Sequence, residues 1–257
     1  MRKWLLLCLI TATSYGHTQS VYTYDLKKDM VLGTVSLGIF ISPFFIENVP
    51  EHTPDSLHKD VINALDRSLL FSYHKTLDRI SDYGVYGMLM LPALSVIGNL
   101  DSADTLLTYG IMYTEAFLLT FGTKDLLKNG IIRYRPYMYE DSVPVGILMG
   151  KEDDYYNSFP SGSTSLAFLS ATFLSTTFSR EYSESLWKLP VILGSYTLAT
   201  SVAAMRIASG SHFITDVLAG AAIGSLYGWI IPFLHRRQNS NLVLQVTGTG
   251  FLVSLTL

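Results

Sequence analysis

Apolar residues run along this chain in long blocks rather than in short alternations. Residues 30–46 are 17 in a row without a formal charge, 83–100 are 18, 155–179 are 25 and 189–205 are 17. Residues 105–123 are broken only by Glu115, and 207–234 only by Asp216. A membrane-crossing helix needs about 20 mostly apolar residues, so the pattern predicts an all-α, membrane-embedded helical bundle of about five or six spans. Several blocks are rich in Ser, Thr, Gly and Tyr. Small and hydroxylated residues suit helix-on-helix contact inside a membrane bundle.

Three segments follow other rhythms. Within 55–82, Leu57, Val61, Leu65 and Leu69 fall at four-residue steps with His58, Asp60, Asp66 and Arg67 among them. That predicts one amphipathic helix, either flat on the bilayer surface or packed on the protein. After His235-Arg236-Arg237, Leu242, Leu244 and Val246 alternate with other residues, then comes Thr247-Gly248-Thr249-Gly250, then Phe251, Val253, Leu255 and Leu257. This is the signature of a short C-terminal β-hairpin. At the start, Arg2 and Lys3 precede an apolar stretch and small residues, with Ser14 and Gly16 placed for cleavage before His17. That matches a secretory signal peptide. The expected plan is a signal peptide over 1–20 and an N-terminal apolar segment with the amphipathic helix over 21–83. A helical domain carrying the chemistry would cover 84–237, and a β-like tail 238–257.

Composition agrees with a membrane environment. Of 257 residues, 15% are charged and 49% hydrophobic, where a soluble domain carries about 25% charge. A net charge of −3 supplies no basic field for nucleic acid, so none is expected as a partner. The single cysteine, Cys8, excludes an internal disulfide or a cysteine metal cluster.

Three polar clusters interrupt the blocks: Lys128 with Arg135-Pro136, then Pro160-Ser161-Gly162-Ser163, then Arg206 with His212 and Asp216. If successive helices alternate in direction, all three meet on one face. That face would hold the cations Lys128, Arg135 and Arg206, beside a helix N-terminus at Ser161-Gly162 whose N–H groups favour an anion. Guanidinium forks match phosphate oxygens, and lysine adds a point charge. His212 and Asp216 stand at i and i+4, where a carboxylate can orient an imidazole and stabilise its charged form. Positioning and charge are most of what phosphoryl transfer requires. Glu115, inside a span, would pair with a basic group or face a wet cavity.

Lys128-x6-Arg135-Pro136, Pro160-Ser161-Gly162 and Arg206-x5-His212-x3-Asp216 resemble the three signature motifs of the type 2 phosphatidic acid phosphatase superfamily, in order and in spacing. The match spans roughly 105–234. The resemblance implies metal-free, cofactor-free dephosphorylation through a phosphohistidine. It implies His212 as nucleophile, Asp216 as its orienter, and Lys128, Arg135, Ser161, Gly162 and Arg206 as phosphate ligands. The expected substrate is the phosphate or diphosphate monoester of a membrane lipid: undecaprenyl diphosphate, lipid A or a glycerophospholipid phosphate.

Two positions depart from that pattern. Met205 stands where the third motif has serine. Ser163 stands where the second motif ends in histidine, the general acid, whose loss puts a factor of about 10²–10⁴ at risk. Three readings follow: a substrate with a good leaving group, a substitute such as His52, His58 or His74, or a phosphate-binding protein without turnover. Lys27, Lys28, Arg180, Lys188, Arg236 and Arg237 lie off the candidate face, so the positive-inside rule expects that face in the periplasm of a bacterial inner membrane. A cleaved signal peptide followed by a crossing over 30–46 would reverse this orientation.

Overall fold

The computed structural model describes residues 20–46, 57–100, 102–139, 155–237, 241–247 and 250–256. Within them lie seven α-helices: α1 (Leu26–Ile41), α2 (Ala64–Arg67), α3 (Lys75–Met90), α4 (Ala103–Gly130), α5 (Gly162–Glu181), α6 (Lys188–Ala208) and α7 (Ile214–Leu234). A 3-10 stretch, Leu91–Asn99, extends α3 past Pro92. The expected C-terminal hairpin forms from β1 (Asn241–Thr247) and β2 (Gly250–Thr256), antiparallel with Asn241 opposite Thr256. The segment read as a signal peptide lies outside the described residues, save for its last residue.

Among the described residues, four helical segments are long and apolar enough to cross a membrane: Leu26–Phe45, Lys75–Gly98, Lys188–Ala208 and Ile214–Leu234. Their outer faces carry exposed large apolar side chains, such as Met30, Val31 and Val35 on α1, Leu189 and Leu193 on α6, and Leu218 and Trp229 on α7. At 28 and 20 residues, α4 and α5 are also long, but more polar. Their position explains the polarity.

The hub of the bundle is α5. Its Leu169 and Phe173 pack with Tyr109, Met112, Ala116 and Leu119 of α4 and Ile231 of α7. Ala167 and Ala171 pack with Val85 and Met88 of α3 and Ala199 and Val202 of α6. Surrounded by protein, α5 spends its hydroxyls on its neighbours. Thr177 meets Ser95 at 2.6 Å, Ser175 meets Ser195 at 3.0 Å, Thr172 meets Tyr196 at 3.0 Å and Ser170 meets Tyr113 at 2.9 Å. Against α7 the contact is backbone to backbone, because a Cβ at Gly220, Gly224 or Gly228 would land on the main chain of α5. Small residues four apart allow that approach.

Chain direction sets where the chemistry falls. The chain just before α1 pairs with the chain just after α7, Thr23 N–H donating to His235 O and Arg237 N–H to Val21 O. At the other end Asn129 donates to Pro43 O and Ile46 O, joining the end of the first span to the end of α4. The ends of α4 and α6 and the starts of α5 and α7 therefore share one end of the bundle.

The single amphipathic helix expected over 55–82 is instead broken. Lys59–Val61 is a 3-10 turn and α2 has four residues; an extended stretch then leads to α3. Asn63 and His74 each accept a backbone N–H as an N-cap, which restarts the helix twice. The four-step stripe faces outward: Val61, Leu65 and Leu69 are exposed, while Ile62 and Asp66 are buried. The outward apolar face suits a bilayer surface. The inward face delivers Asp66 to the base of α7.

Candidate active site

The three polar clusters meet. A cavity of about 420 Å³ is lined by Lys128, Arg135, Gly162, Ser163, Arg206 and His212, with Lys124 and Asp82 beside them. Val85, Tyr86, Leu89, Phe117, Phe121 and Leu166 form its apolar wall. Of the expected site residues, Ser161 and Asp216 are not in the lining; both are fully buried behind it.

Local pairing brings the clusters together. Arg133 forms a parallel bridge with Asn157, Ser158 N–H donates to Arg133 O, and Arg135 N–H donates to Tyr155 O. This strip sets Arg133 beside Ser158 and Arg135 beside Tyr155. Ser161 caps α5 and its N–H donates to Asp216 O, joining the starts of α5 and α7. The first-turn N–H groups of α5, at Gly162 and Ser163, have no intrahelical acceptors.

His212 is 2% exposed. Its Nδ1 donates to the Ser158 carbonyl at 2.8 Å, leaving Nε2 as the lone-pair nitrogen, 3.3 Å from an Arg135 guanidinium nitrogen. Burial, then the Arg135, Arg206 and Lys128 charges, hold the imidazole well below its ordinary pKa. The ring is neutral at neutral pH, with Nε2 facing the cations.

Asp216 stands at the first turn of α7, 3.7 Å from His212 Nδ1. Its Oδ2 accepts from Ser158 Oγ at 2.6 Å and from Phe213 N at 2.9 Å, and its Oδ1 pairs with Arg133. Arg133 also reaches Asp66 at 2.5 Å, and its guanidinium lies over the Phe213 ring. Asp66 in turn accepts from Thr215 N at 2.9 Å and from Thr215 Oγ1 at 2.7 Å. Burial works to raise the Asp66 pKa, but bonds from Thr215, Asn63 and Arg133 outweigh it and hold it below the ordinary value.

The cations are held from outside the cavity as well. Lys128 Nζ donates to Asn157 O at 2.6 Å, and Arg135 donates to Ser211 O at 2.9 Å. Arg206 is gripped by α3, at 2.8 Å from Asp78, 2.9 Å from Asp82 and 3.1 Å from Ser81 Oγ. Asp78 also accepts from Ser211 Oγ at 2.7 Å and Tyr73 Oη at 2.9 Å. Burial and Asp78 push the Tyr73 phenol up to about 12, so it stays a donor. Lys124 pairs with Asp125 at 2.5 Å and lies over the Phe121 ring.

Sequence reasoning missed Ser158, Arg133, Asp66 and the Asp78–Ser81–Asp82 edge of α3. Lys124 and Arg133, which belong to none of the three motifs, prove to be a cavity cation and the link between two buried carboxylates. No local spacing marked Asp66 as inward-facing, since Ile62, four residues before it, is extended and lies outside α2. Ser163 sits half-buried in the first turn of α5, facing the cavity. Among the described residues His212 is the only histidine in the lining. His74 is exposed and caps α3, His58 is exposed, and His52 lies outside the described residues.

A family model described as the PAP2 superfamily matches residues 107–240. A lipid A 1-phosphatase of Porphyromonas gingivalis is 40% identical over 85 residues, 31% of this chain and 18% of that protein. A PA-phosphatase related-family protein of Dictyostelium discoideum is 32% identical over 127 residues, 47% of this chain and 46% of that protein. The chain spans less than half the length of these curated relatives. Among solved structures, it is similar to a transmembrane PAP2 type phosphatidylglycerolphosphate phosphatase from Bacillus subtilis. That likeness has a TM-score of 0.43 and 18% identity, over 90% of this chain and 94% of the other. It is also similar to Aquifex aeolicus LpxE, with a TM-score of 0.45 and 22% identity, over 68% of this chain and 98% of the other.

Proposed function

The chain belongs to the PAP2 superfamily, and on that premise we propose that it is a membrane lipid phosphatase working through a phosphohistidine. The observation that carries this reading is the His212 ring. It is neutral, with Nδ1–H tied to Ser158, and it lines a cavity of about 420 Å³ that holds both cations and apolar side chains. A lipid phosphate has the same two characters. One relative is a lipid A 1-phosphatase, which makes the 1-phosphate of lipid A a substrate to test beside undecaprenyl diphosphate and glycerophospholipid phosphates.

In the proposed route Lys128, Arg135, Arg206 and the first N–H groups of α5 hold the phosphoryl oxygens. Nε2 attacks phosphorus, the bond from phosphorus to the lipid-side oxygen breaks, and that oxygen leaves with the bonding pair. The Nδ1 proton stays on the ring, where the Ser158 carbonyl and the Asp216 carboxylate stabilise the cationic phosphohistidine. Water then attacks phosphorus, the P–N bond breaks, and inorganic phosphate leaves.

Ser163 bears on the leaving group. A serine hydroxyl is a weak acid, and neither His58 nor His74 lines the cavity to replace it. A diphosphate, whose leaving group is itself a phosphate, needs less protonation, so this reading favours lipid diphosphates. The same residue favours a second reading, a membrane protein that binds phosphorylated head groups without turnover. Phosphate release by detergent-purified protein decides between them, using matched lipid mono- and diphosphates with wild type, Ser163→His and His212→Ala. Turnover by wild type that orthovanadate inhibits and His212→Ala abolishes supports the enzyme; turnover by Ser163→His alone supports the binding protein.

For orientation, Lys27, Lys28, Arg180, Lys188, Arg236 and Arg237 belong to the end of the bundle opposite His212, which the positive-inside rule assigns to the cytoplasm. The cavity then faces the periplasm of the inner membrane. With a crossing by Leu26–Phe45, this orientation needs residue 25 on the cytoplasmic side, and a signal peptide cleaved in the periplasm would reverse it. In a Cys8→Ser background, labelling of Ser163→Cys by a membrane-impermeant maleimide in intact spheroplasts supports the periplasmic reading; labelling only after lysis overturns it.

A further inference from the structure

Asp29 of α1, Glu115 of α4 and His235, the residue after α7, converge at the end of the bundle away from the catalytic cavity. Nε2 of His235 stands 3.1 Å from Asp29 Oδ1 and 3.5 Å from Glu115 Oε2. One ligand atom from each residue lies within 4.8 Å of the other two. The length of α7 puts about 30 Å between this cluster and His212.

All three groups present acceptors to one another. His235 Nδ1 donates to Ile231 O at 3.0 Å, which leaves the lone pair on Nε2. Asp29 Oδ2 accepts from Asp25 N at 2.8 Å, so Oδ1 is the oxygen turned inward. Asp29 Oδ1, both Glu115 oxygens and His235 Nε2 are buried without a hydrogen-bond partner. His235 is 0% exposed and Glu115 3%. The nearby ammonium of Lys28 lies 3.5 Å from Asp29 Oδ1 and donates to Leu234 O. Buried acceptors without donors are costly, and a shared cation removes the cost.

We propose that Asp29, Glu115 and His235 form a binding site for a divalent transition-metal ion, with zinc the best match. Bonds of about 2.0–2.2 Å in a tetrahedron put ligand atoms about 3.4 Å apart, close to the two separations found here. An imidazole with two carboxylates suits zinc, whereas calcium and magnesium prefer sets of oxygen ligands. The Nδ1–H bond to a main-chain carbonyl is the outer contact that ordinarily orients a metal-binding histidine. A groove of about 650 Å³ reaches Asp29 and Glu115 between α1 and α4, giving an entry path and room for a further ligand. The ion would clasp the first span to α4 and to the end of α7. α1 otherwise buries little of its surface.

The test uses full-length, detergent-purified protein stripped with chelator and re-equilibrated with zinc or cobalt(II). The proposal expects about one zinc per chain, a higher Tm with zinc than with chelator, and the intense visible bands of tetrahedral cobalt(II). Glu115→Gln and His235→Gln each lower zinc affinity by at least about tenfold and lose those bands, while His212→Ala keeps both. Wild type that retains no zinc overturns the site. So does zinc retained equally by the Glu115 and His235 variants. Should either variant misfold, cobalt(II) decides on wild type alone, since a weak octahedral spectrum or none rejects a three-ligand protein site.

Discussion

The Ser158 carbonyl oxygen stands 2.8 Å from Nδ1 of His212, nearer than the Asp216 carboxylate at 3.7 Å. Ser158 also donates its hydroxyl to Asp216 at 2.6 Å, so one residue couples the imidazole to the carboxylate. Ser158→Ala keeps the carbonyl and removes the hydroxyl. A hydrogen bond to a charged group contributes about 1.5–3 kcal/mol, so kcat on a lipid phosphate is expected to fall about tenfold to a hundredfold with little change in KM. His212→Ala, by contrast, is expected to be inactive. Unchanged kcat in Ser158→Ala would mean that the hydroxyl does not help position the ring.

Acid should act on both rate and stability through His212. Burial and the Arg135, Arg206 and Lys128 charges lower its folded-state pKa, so the unfolded chain binds the proton more readily. Above about pH 6.5, the ordinary value, both states are neutral and His212 adds no pH dependence. As pH falls below that value toward the depressed one, the unfolded state gains protons first and stability declines. Melting curves in detergent from about pH 4.5 to 7.5 should show a shallower acid decline for His212→Gln than for wild type. The acid limb of kcat/KM should lie below the ordinary histidine value, because Nε2 stays unprotonated.

Much of this was legible because the chemistry sits in contiguous motifs at helix ends. Lys128, Arg135, Ser163, Arg206 and His212 could be set on one face from alternating helix direction alone. The remaining parts act across distance. Asp66 lies 150 residues before Asp216, and no local pattern ties either to Arg133. Asp78 and Asp82 grip Arg206 from α3, where the sequence shows only a charged stretch before an apolar block. The stripe of Val61, Leu65 and Leu69 misled on continuity, because four-residue spacing marks an apolar face without showing that Asn63 and His74 restart the helix. The polar character of 155–179, conversely, was a sound sign of burial, as the hydroxyl pairs of α5 show.

Gly224 tests the close approach of α5 and α7. A Cβ there would land on the Ser165 carbonyl, with the Leu169 main chain also in range. Neither obstacle is a flexible side-chain end. Gly224→Ala therefore has to push the helices apart, and overpacking of this kind costs about 1–3 kcal/mol. Gly33→Ala, where a Cβ meets nothing, serves as the control. The expected result is a lower Tm for Gly224→Ala and an unchanged one for Gly33→Ala, read by thermal unfolding in detergent. Because Ser161 and Asp216 meet across the same interface, Gly224→Ala should lose activity at temperatures where Gly33→Ala keeps it.

Arg133 supplies the sharpest test of the buried network. It links Asp66, on the short helix after the first span, to Asp216 beside the proposed nucleophile. Both carboxylates are 0% exposed, so removing the guanidinium leaves two buried acids near each other with less compensation. Breaking a buried pair by deleting one partner costs about 3–5 kcal/mol, and Arg133→Ala is expected to lower Tm and kcat together. Arg133→Lys keeps the charge but not the fork that reaches Asp66, Asp216 and Thr215 at once, so it should recover little of the loss. Asp66→Asn removes one acid and leaves the Arg133–Asp216 pair. It should cost stability but spare kcat more than Arg133→Ala does. If Arg133→Lys matches wild type in both Tm and kcat, charge alone matters at this position and the forked link is not required.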